Sequence, residues 1–347
     1  MTTPASLVDL ISDTATRPCP RMREVMAQAP VGDEQLDEDP SVNALNARVA
    51  QMLGKEAALF LPSGTMANQI ALAVHCRSGD AIIAAHNAHI IGSEGAGAAV
   101  FAGAVIQGVE TPDGIFDADD LARHWRAPKL KSPKVRVLAV EQTNNRGGGS
   151  VWPVQTLRAV SCFARERGLV MHMDGARLMN AVVASGISAR QYAELCDTVW
   201  IDLSKGLGCP IGSVLAGSKA FIEQANVWKH RFGGAMRQAG IVAAAGIYAL
   251  ENNVAKLADD HRRATTFAEF LSGFPGIALV HKNVQTNLVF FNVEKTGRRA
   301  PDIARALLAQ GVRIGAESDA VMRAVFHLDV NDQGLQRAMD AMRDVLG

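Results

Sequence analysis

Lys205 is a residue whose setting calls for chemistry. It follows the apolar, strand-like stretch Asp197-Thr198-Val199-Trp200-Ile201 and sits in Ser204-Lys205-Gly206-Leu207-Gly208, among small residues that let the backbone turn sharply. A buried ammonium is costly. A lysine here makes sense as a neutral amine, or as an amine bonded to a carbonyl cofactor. Upstream, Val170-Met171-His172-Met173 runs into Asp174, with Arg177 three residues on. Pyridoxal phosphate needs such a pair: a lysine to hold its aldehyde and a carboxylate to keep its pyridine nitrogen protonated. Earlier still, strand-like Ala57–Leu61 passes through Pro62-Ser63-Gly64-Thr65 into a helical pattern from about Met66. Gly64 and Thr65 then stand at a helix N-terminus, where free N–H groups, the helix dipole and a hydroxyl suit a phosphate. Each part alone has an ordinary explanation, as a solvated strand end or a helix cap. Their combination, in the order phosphate cradle, aspartate, lysine, points to the cofactor.

These residues must be carried by elements, and the pattern supplies them. Asp39-Pro40 caps and starts a helix with the apolar stripe Val42, Leu45, Val49 and Met52, stopped by Gly54. Strands are predicted at about residues 57–61, 81–85, 100–107, 135–141, 168–173, 198–202 and 212–216, with helices between most of them. This alternation predicts an α/β fold: a mostly parallel seven-stranded sheet with helices on both faces. Ligands collect at the carboxyl ends of such strands, where Gly64, Asp174 and Lys205 all fall. The texture changes after about Leu250, and a small α+β domain is expected over 251–347, behind a large domain over 1–250. Two glycine-rich stretches are decoys. Gly206–Gly212 holds a proline and follows the lysine, unlike a dinucleotide turn, and no helix starts directly after Gly147-Gly148-Gly149.

Composition narrows the class. The 347 residues are 48% hydrophobic and 20% charged, and 35 basic residues balance 35 acidic ones. Neither nucleic acid nor a membrane surface is an expected partner. The start, Met1-Thr2-Thr3-Pro4-Ala5, has no signal-peptide pattern. The five cysteines are odd in number and scattered without a C-x-x-C spacing. That argues against a zinc site or disulfide framework and favours the cytoplasm. No metal-ligand cluster is visible.

Further motifs are Asp9-Leu10-Ile11-Ser12-Asp13-Thr14-Ala15-Thr16-Arg17-Pro18, Val31-Gly32-Asp33, Glu38-Asp39-Pro40-Ser41-Val42-Asn43, Gly54-Lys55-Glu56-Ala57-Ala58 and Gly233-Gly234-Ala235-Met236-Arg237-Gln238-Ala239-Gly240. Together with the phosphate turn and the lysine loop, this set resembles the L-threonine aldolases, nearly end to end. These are fold-type-I pyridoxal-phosphate enzymes grouped with the aromatic β-eliminating lyases. The resemblance implies a Schiff base on Lys205, Asp174 at the pyridine nitrogen, Gly64 and Thr65 at the phosphate, and His89 stacked on the ring. It places Arg237 at the phosphate of a neighbouring subunit, in a homodimer or homotetramer. Ser12, Arg177 and Arg323 would hold the substrate carboxylate, and a planar guanidinium fork suits that task.

The implied reaction splits a β-hydroxy-α-amino acid into glycine and an aldehyde. The hydroxyl base is open: His89, His86 or a water bound by Asn144 could serve. His172, two residues before Asp174, is either a support for that carboxylate or a core histidine. Three positions depart from the family pattern: Asn144 stands for a histidine, Leu36 for a tyrosine and Ala235 for a glycine. All three bear on the substrate or its surroundings, so threonine itself is an open choice. The alternatives are β-elimination on a β-substituted amino acid, with Lys205 as base at Cα, and a non-catalytic relative that binds the cofactor.

Overall fold

The computed structural model describes residues 7–347; the extreme N-terminus read above lies outside them. The described residues form twelve strands: β1 (Val8–Leu10), β2 (Ala57–Leu61), β3 (Asp80–Ala85), β4 (Val105–Val109), β5 (Lys134–Glu141), β6 (Val170–Gly175), β7 (Thr198–Asp202), β8 (Ser213–Gly217), β9 (Ala278–Leu279), β10 (Leu288–Asn292), β11 (Val312–Ala316) and β12 (Val321–Val325). Seven form one sheet in the order β2-β8-β7-β6-β5-β3-β4. Neighbours from β7 through β4 pair parallel, and β8 alone runs antiparallel to both its neighbours. Every residue of β3 and β7 is buried. Helices cover both faces, which is why these strands read as continuous apolar runs rather than alternating ones.

One predicted strand is misplaced. Residues 100–107 divide into the end of a helix, Gly97–Phe101, and the start of β4. Gly103 takes a φ of +60° between them. That left-handed turn, open to glycine, ends the helix and begins the strand. The Asp39–Gly54 reading holds. The helix spans Pro40–Leu53, the Asp39 side chain caps it, and Gly54 closes it with a φ of +64°.

The other five strands form a second sheet, β1-β11-β12-β10-β9. Its own core gathers Leu10, Phe267, Phe291, Ile314, Met322 and Phe326. β1 pairs parallel with β11, so the N-terminal strand crosses from the first motif of the chain into the C-terminal sheet. We propose a boundary between two units near residue 250, with residues 8–10 given to the smaller one. Among the described residues no helix is long and apolar enough to cross a membrane.

Candidate active site

A cavity of about 370 Å³ opens where β2, β5, β6 and β7 end. Parallel strands deliver their carboxyl ends to one edge, and that is why three distant motifs meet there. Asp174 is the last residue but one of β6, Lys205 follows β7, and Gly64 and Thr65 begin the helix Gly64–His75 after β2. Ser12, His89, Arg177 and Arg323 line the same space.

Gly64 and Thr65 are the first two helical residues, so their N–H groups have no partner inside the helix. Among the described residues nothing meets the Thr65 hydroxyl either. Gly64 must be glycine: a Cβ there would lie 2.2 Å from the Trp200 ring. Trp200 is held in turn, its Nε1–H donating to Asn68 Oδ1 at 2.7 Å.

Asn68 organises the carboxylates. Its Nδ2 donates to Asp174 Oδ2 at 2.8 Å and to Glu94 Oε1 at 2.7 Å. Since Trp200 Nε1 is only a donor, Asn68 presents its oxygen to that side, and His172 Nε2, 3.1 Å away, must donate to it as well. His172 Nδ1 then accepts from the Thr198 hydroxyl at 2.9 Å, and His75 Nε2 donates to that hydroxyl at 3.1 Å. Burial holds both rings neutral, pushing His172 down to about 3 and His75 to about 4. His172 therefore supports Asp174 through Asn68, not by a direct bond. The other Asp174 oxygen accepts the Ala176 N–H at 3.0 Å.

His89 begins a short helical turn, and its backbone N–H donates to Glu141 Oε2 at 2.8 Å. Its Nδ1 lies 2.8 Å from Glu94 Oε1. That bond to Glu94 raises the His89 pKa, against the opposing effect of burial. Glu141 is buried at the end of β5, and burial followed by the charge of Asp174 pushes it up to about 7. Its second oxygen accepts the Asn145 N–H at 2.8 Å. One carboxylate thus ties together the two loops that carry His89 and Asn145.

Arg177 is fully engaged on one side. Its Nε and Nη2 donate to the two oxygens of Asp13, at 2.7 and 2.8 Å. Burial opposes the Asp13 charge, yet the guanidinium outweighs it and holds the carboxyl at about 2. Nη1 is the nitrogen left for a ligand. Arg323 Nη2 donates to the Ile11 carbonyl at 3.2 Å, and its Nε pairs with Glu317 at 3.1 Å.

Three expected residues lie off the cavity. Asn144 is fully buried beneath the glycine-rich turn, where its Oδ1 accepts the Gly147 N–H at 2.6 Å. Its neighbour Asn145 lines the cavity instead. This corrects the expectation that Asn144 faces substrate: the chain turns so that the next side chain points inward. His86 is half-exposed, points to Glu110 at 3.5 Å and does not line the cavity. Arg237 is 60% exposed on the surface and pairs with Asp33 at 2.8 Å. Several groups in or behind the cavity were not foreseen. Asp13 sat inside a motif quoted above, Glu141 and Asp202 closed predicted strands and Asn68 fell in a predicted helix; Glu94 carried no signal.

The beta-eliminating lyase family matches residues 9–294. A low specificity L-threonine aldolase of Escherichia coli is 42% identical over 95% of this chain and 96% of its own. The chain belongs to that family, among the L-threonine aldolases. The solved threonine aldolase of Leishmania major superposes with a TM-score of 0.82 at 20% identity, covering 98% of this chain and 99% of that one. The aspartate aminotransferase of Thermus thermophilus shares the fold at a TM-score of 0.73 and 17% identity, over 98% and 92% of the two chains. The family's cofactor is pyridoxal phosphate, and the cavity suits it. The free N–H groups of a helix start, a free hydroxyl, a fixed carboxylate and an amine all line it.

Proposed function

We propose that this threonine aldolase relative cleaves a β-hydroxy-α-amino acid, L-threonine, L-allo-threonine or a relative such as phenylserine, to glycine and an aldehyde. The observation that carries the reading is the single cavity lined by Lys205, Asp174, His89, Thr65 and two arginines. Gly64 and Thr65 would hold the phosphate, and Lys205 Nζ would be the amine that holds the cofactor's aldehyde carbon. Asp174 holds a proton on the pyridine nitrogen; Asn68 and Ala176 fix its two oxygens for that task. Arg177 Nη1, Arg323 and Ser12 grip the substrate carboxylate, which decides which bond to Cα stands ready to break. Bound pyridoxal phosphate supplies an electron sink for the pair left on Cα. His89 takes the hydroxyl proton at Nε2. Its Nδ1 is committed to Glu94, and with His86 and Asn144 off the cavity it is the histidine at hand.

The same reading places Arg237 at the phosphate of a second copy, in a homodimer or homotetramer. Its exposure supports this, as do the exposed apolar side chains Val31, Leu36 and Ile241 on the neighbouring segments. The five free cysteines fit the cytoplasm. Borohydride treatment of the holoenzyme should attach the cofactor to Lys205, read by peptide mass spectrometry. Incubation with threonine, allo-threonine, phenylserine and 3-hydroxyaspartate should yield glycine and an aldehyde. Pyruvate and ammonia from a β-substituted amino acid would instead establish β-elimination, and no product a non-catalytic relative.

A further inference from the structure

Lys205 Nζ lies 2.6 Å from Asp202 Oδ2. The aspartate side chain is 5% exposed and the lysine 20%. The other carboxylate oxygen, Oδ1, accepts the Ser204 backbone N–H at 2.8 Å and the Ser204 hydroxyl at 2.9 Å. The turn needs only that one oxygen. Oδ2 is left over and directed at the lysine. Other charged groups around this point have partners of their own. Asp13 is taken by Arg177 and Asn287, and Asp174 by Asn68 and Ala176. His89 is held by Glu94 and Arg323 by Glu317. Asp202 is therefore the carboxylate that meets the reacting amine.

This pairing conflicts with a lysine that serves only as a nucleophile. A neutral amine must attack the cofactor's carbonyl carbon, whereas a carboxylate at this distance favours the ammonium. The conflict disappears if the reaction uses both forms in turn. We propose that Asp202 is a catalytic residue that holds Lys205 as an ammonium while substrate occupies the cavity, keeping ready the proton that Cα takes to become glycine. The inference rests on the functional reading above.

The protons balance. The substrate's amine arrives as an ammonium and passes two of its hydrogens to the lysine nitrogen as it takes that nitrogen's place on the cofactor carbon. With the hydrogen it already carried, Lys205 leaves as an ammonium, and Asp202 Oδ2 receives it. The hydroxyl proton passes to His89 as the Cα–Cβ bond breaks and the aldehyde departs. Lys205 then gives its proton to Cα. It is left as the neutral amine, the form needed to bond the cofactor carbon again. Glycine leaves with the proton held on His89 restored to its own ammonium.

Asp202→Asn keeps an oxygen for Ser204 but puts an amide where the lysine had an anion. In the apoprotein, acetic anhydride should label Lys205 about tenfold faster in the variant at pH 7.5, read by peptide mass spectrometry. The anion that pairs with the amine and holds back its acylation is gone in the variant. In the holoenzyme, solvent deuterium exchange into the α-position of glycine, followed by NMR, should slow about tenfold or more. Asp202→Ser, whose hydroxyl can still accept the Ser204 N–H, supplies the same comparison should the amide variant not fold. Equal labelling of Lys205 in wild type and variants overturns the proposal. Borohydride fixing the cofactor to another lysine would instead overturn the site reading, a separate result.

Discussion

The His89 ring is bonded on the nitrogen that faces Glu94, and this decides what the other nitrogen can do. With Nδ1 donating to a buried carboxylate, Nε2 is the acceptor, and its affinity for a proton is raised. As a base it must be unprotonated. Cleavage should therefore be slow at low pH and rise as pH passes through a value above the ordinary histidine range. Glu94→Gln keeps an acceptor oxygen and removes the charge. We expect the acid limb of kcat/KM to move down by about one pH unit and the plateau to fall about tenfold. An unmoved limb would mean that His89 is not the base. Asn144 gives the opposite kind of expectation. It is fully buried, with its Nδ2 donating to Asn87 Oδ1 at 3.3 Å and Gly114 against it. Asn144→His must overpack this spot, costing about 1–3 kcal/mol. Thermal unfolding should show the loss, and kcat/KM for threonine and phenylserine should not rise.

The helix Gly64–His75 owes its place to what lies beneath its first turn. The Trp200 ring fills the space where a Gly64 side chain would go, and Asn68, from the next turn of the same helix, holds the indole N–H. A phosphate cradle, a ring-nitrogen support and a packing anchor thus share one element. Gly64→Ala should push the helix start or the indole aside. The expected cost is about 1–3 kcal/mol, with cofactor affinity at least tenfold weaker. Denaturant unfolding and a fluorescence titration of the apoprotein with pyridoxal phosphate read the two effects. A second element shows similar economy. The Asp39 carboxylate accepts the N–H groups of Ser41 and Val42, capping its own helix, and those of Gly32 and Gly240 from two other segments. It thereby joins the loop that carries Arg237 to the N-terminal part of the chain.

Across the whole molecule, Asp13 connects three separated regions. It pairs with Arg177 after β6 and accepts from Asn287 at the start of the C-terminal sheet's β10 region, at 3.2 Å. Its folded pKa is about 2, below the usual carboxylate value of about 4 in an unfolded chain. The sign follows: the pair's stability is full above about pH 4 and is lost as pH falls through about 2, roughly 2–3 kcal/mol in all. Asp13→Asn should destabilise by about 3–5 kcal/mol at pH 7, because Arg177 stays buried without its anion. Urea unfolding should show the gap between wild type and variant shrinking as pH falls. Assembly is testable on the same scale. If Arg237 serves a partner's site, mixing Lys205→Ala subunits with Arg237→Ala subunits restores activity. Hybrids as inactive as their parents would place Arg237 elsewhere.

The chemistry of the cavity was legible in the chain because parallel strands send their carboxyl ends to one edge. Asp174 lies at the end of such a strand and Lys205 and Gly64-Thr65 follow one, so pattern alone brought them together. The helix from Pro40 was equally plain, since its cap, stripe and closing glycine are local signals. Only the tertiary structure decided what stands behind these groups. Glu94 meets His89 and Asn68, Asp13 meets Arg177, and β1 joins the far sheet, through contacts that no local period encodes. It also decided that Asn145 rather than Asn144 faces inward, because the direction of a side chain after a strand end is set by how the following loop folds back. Strand ends are placed by periodicity. The proton partners of the residues on them are placed by packing between segments distant in sequence.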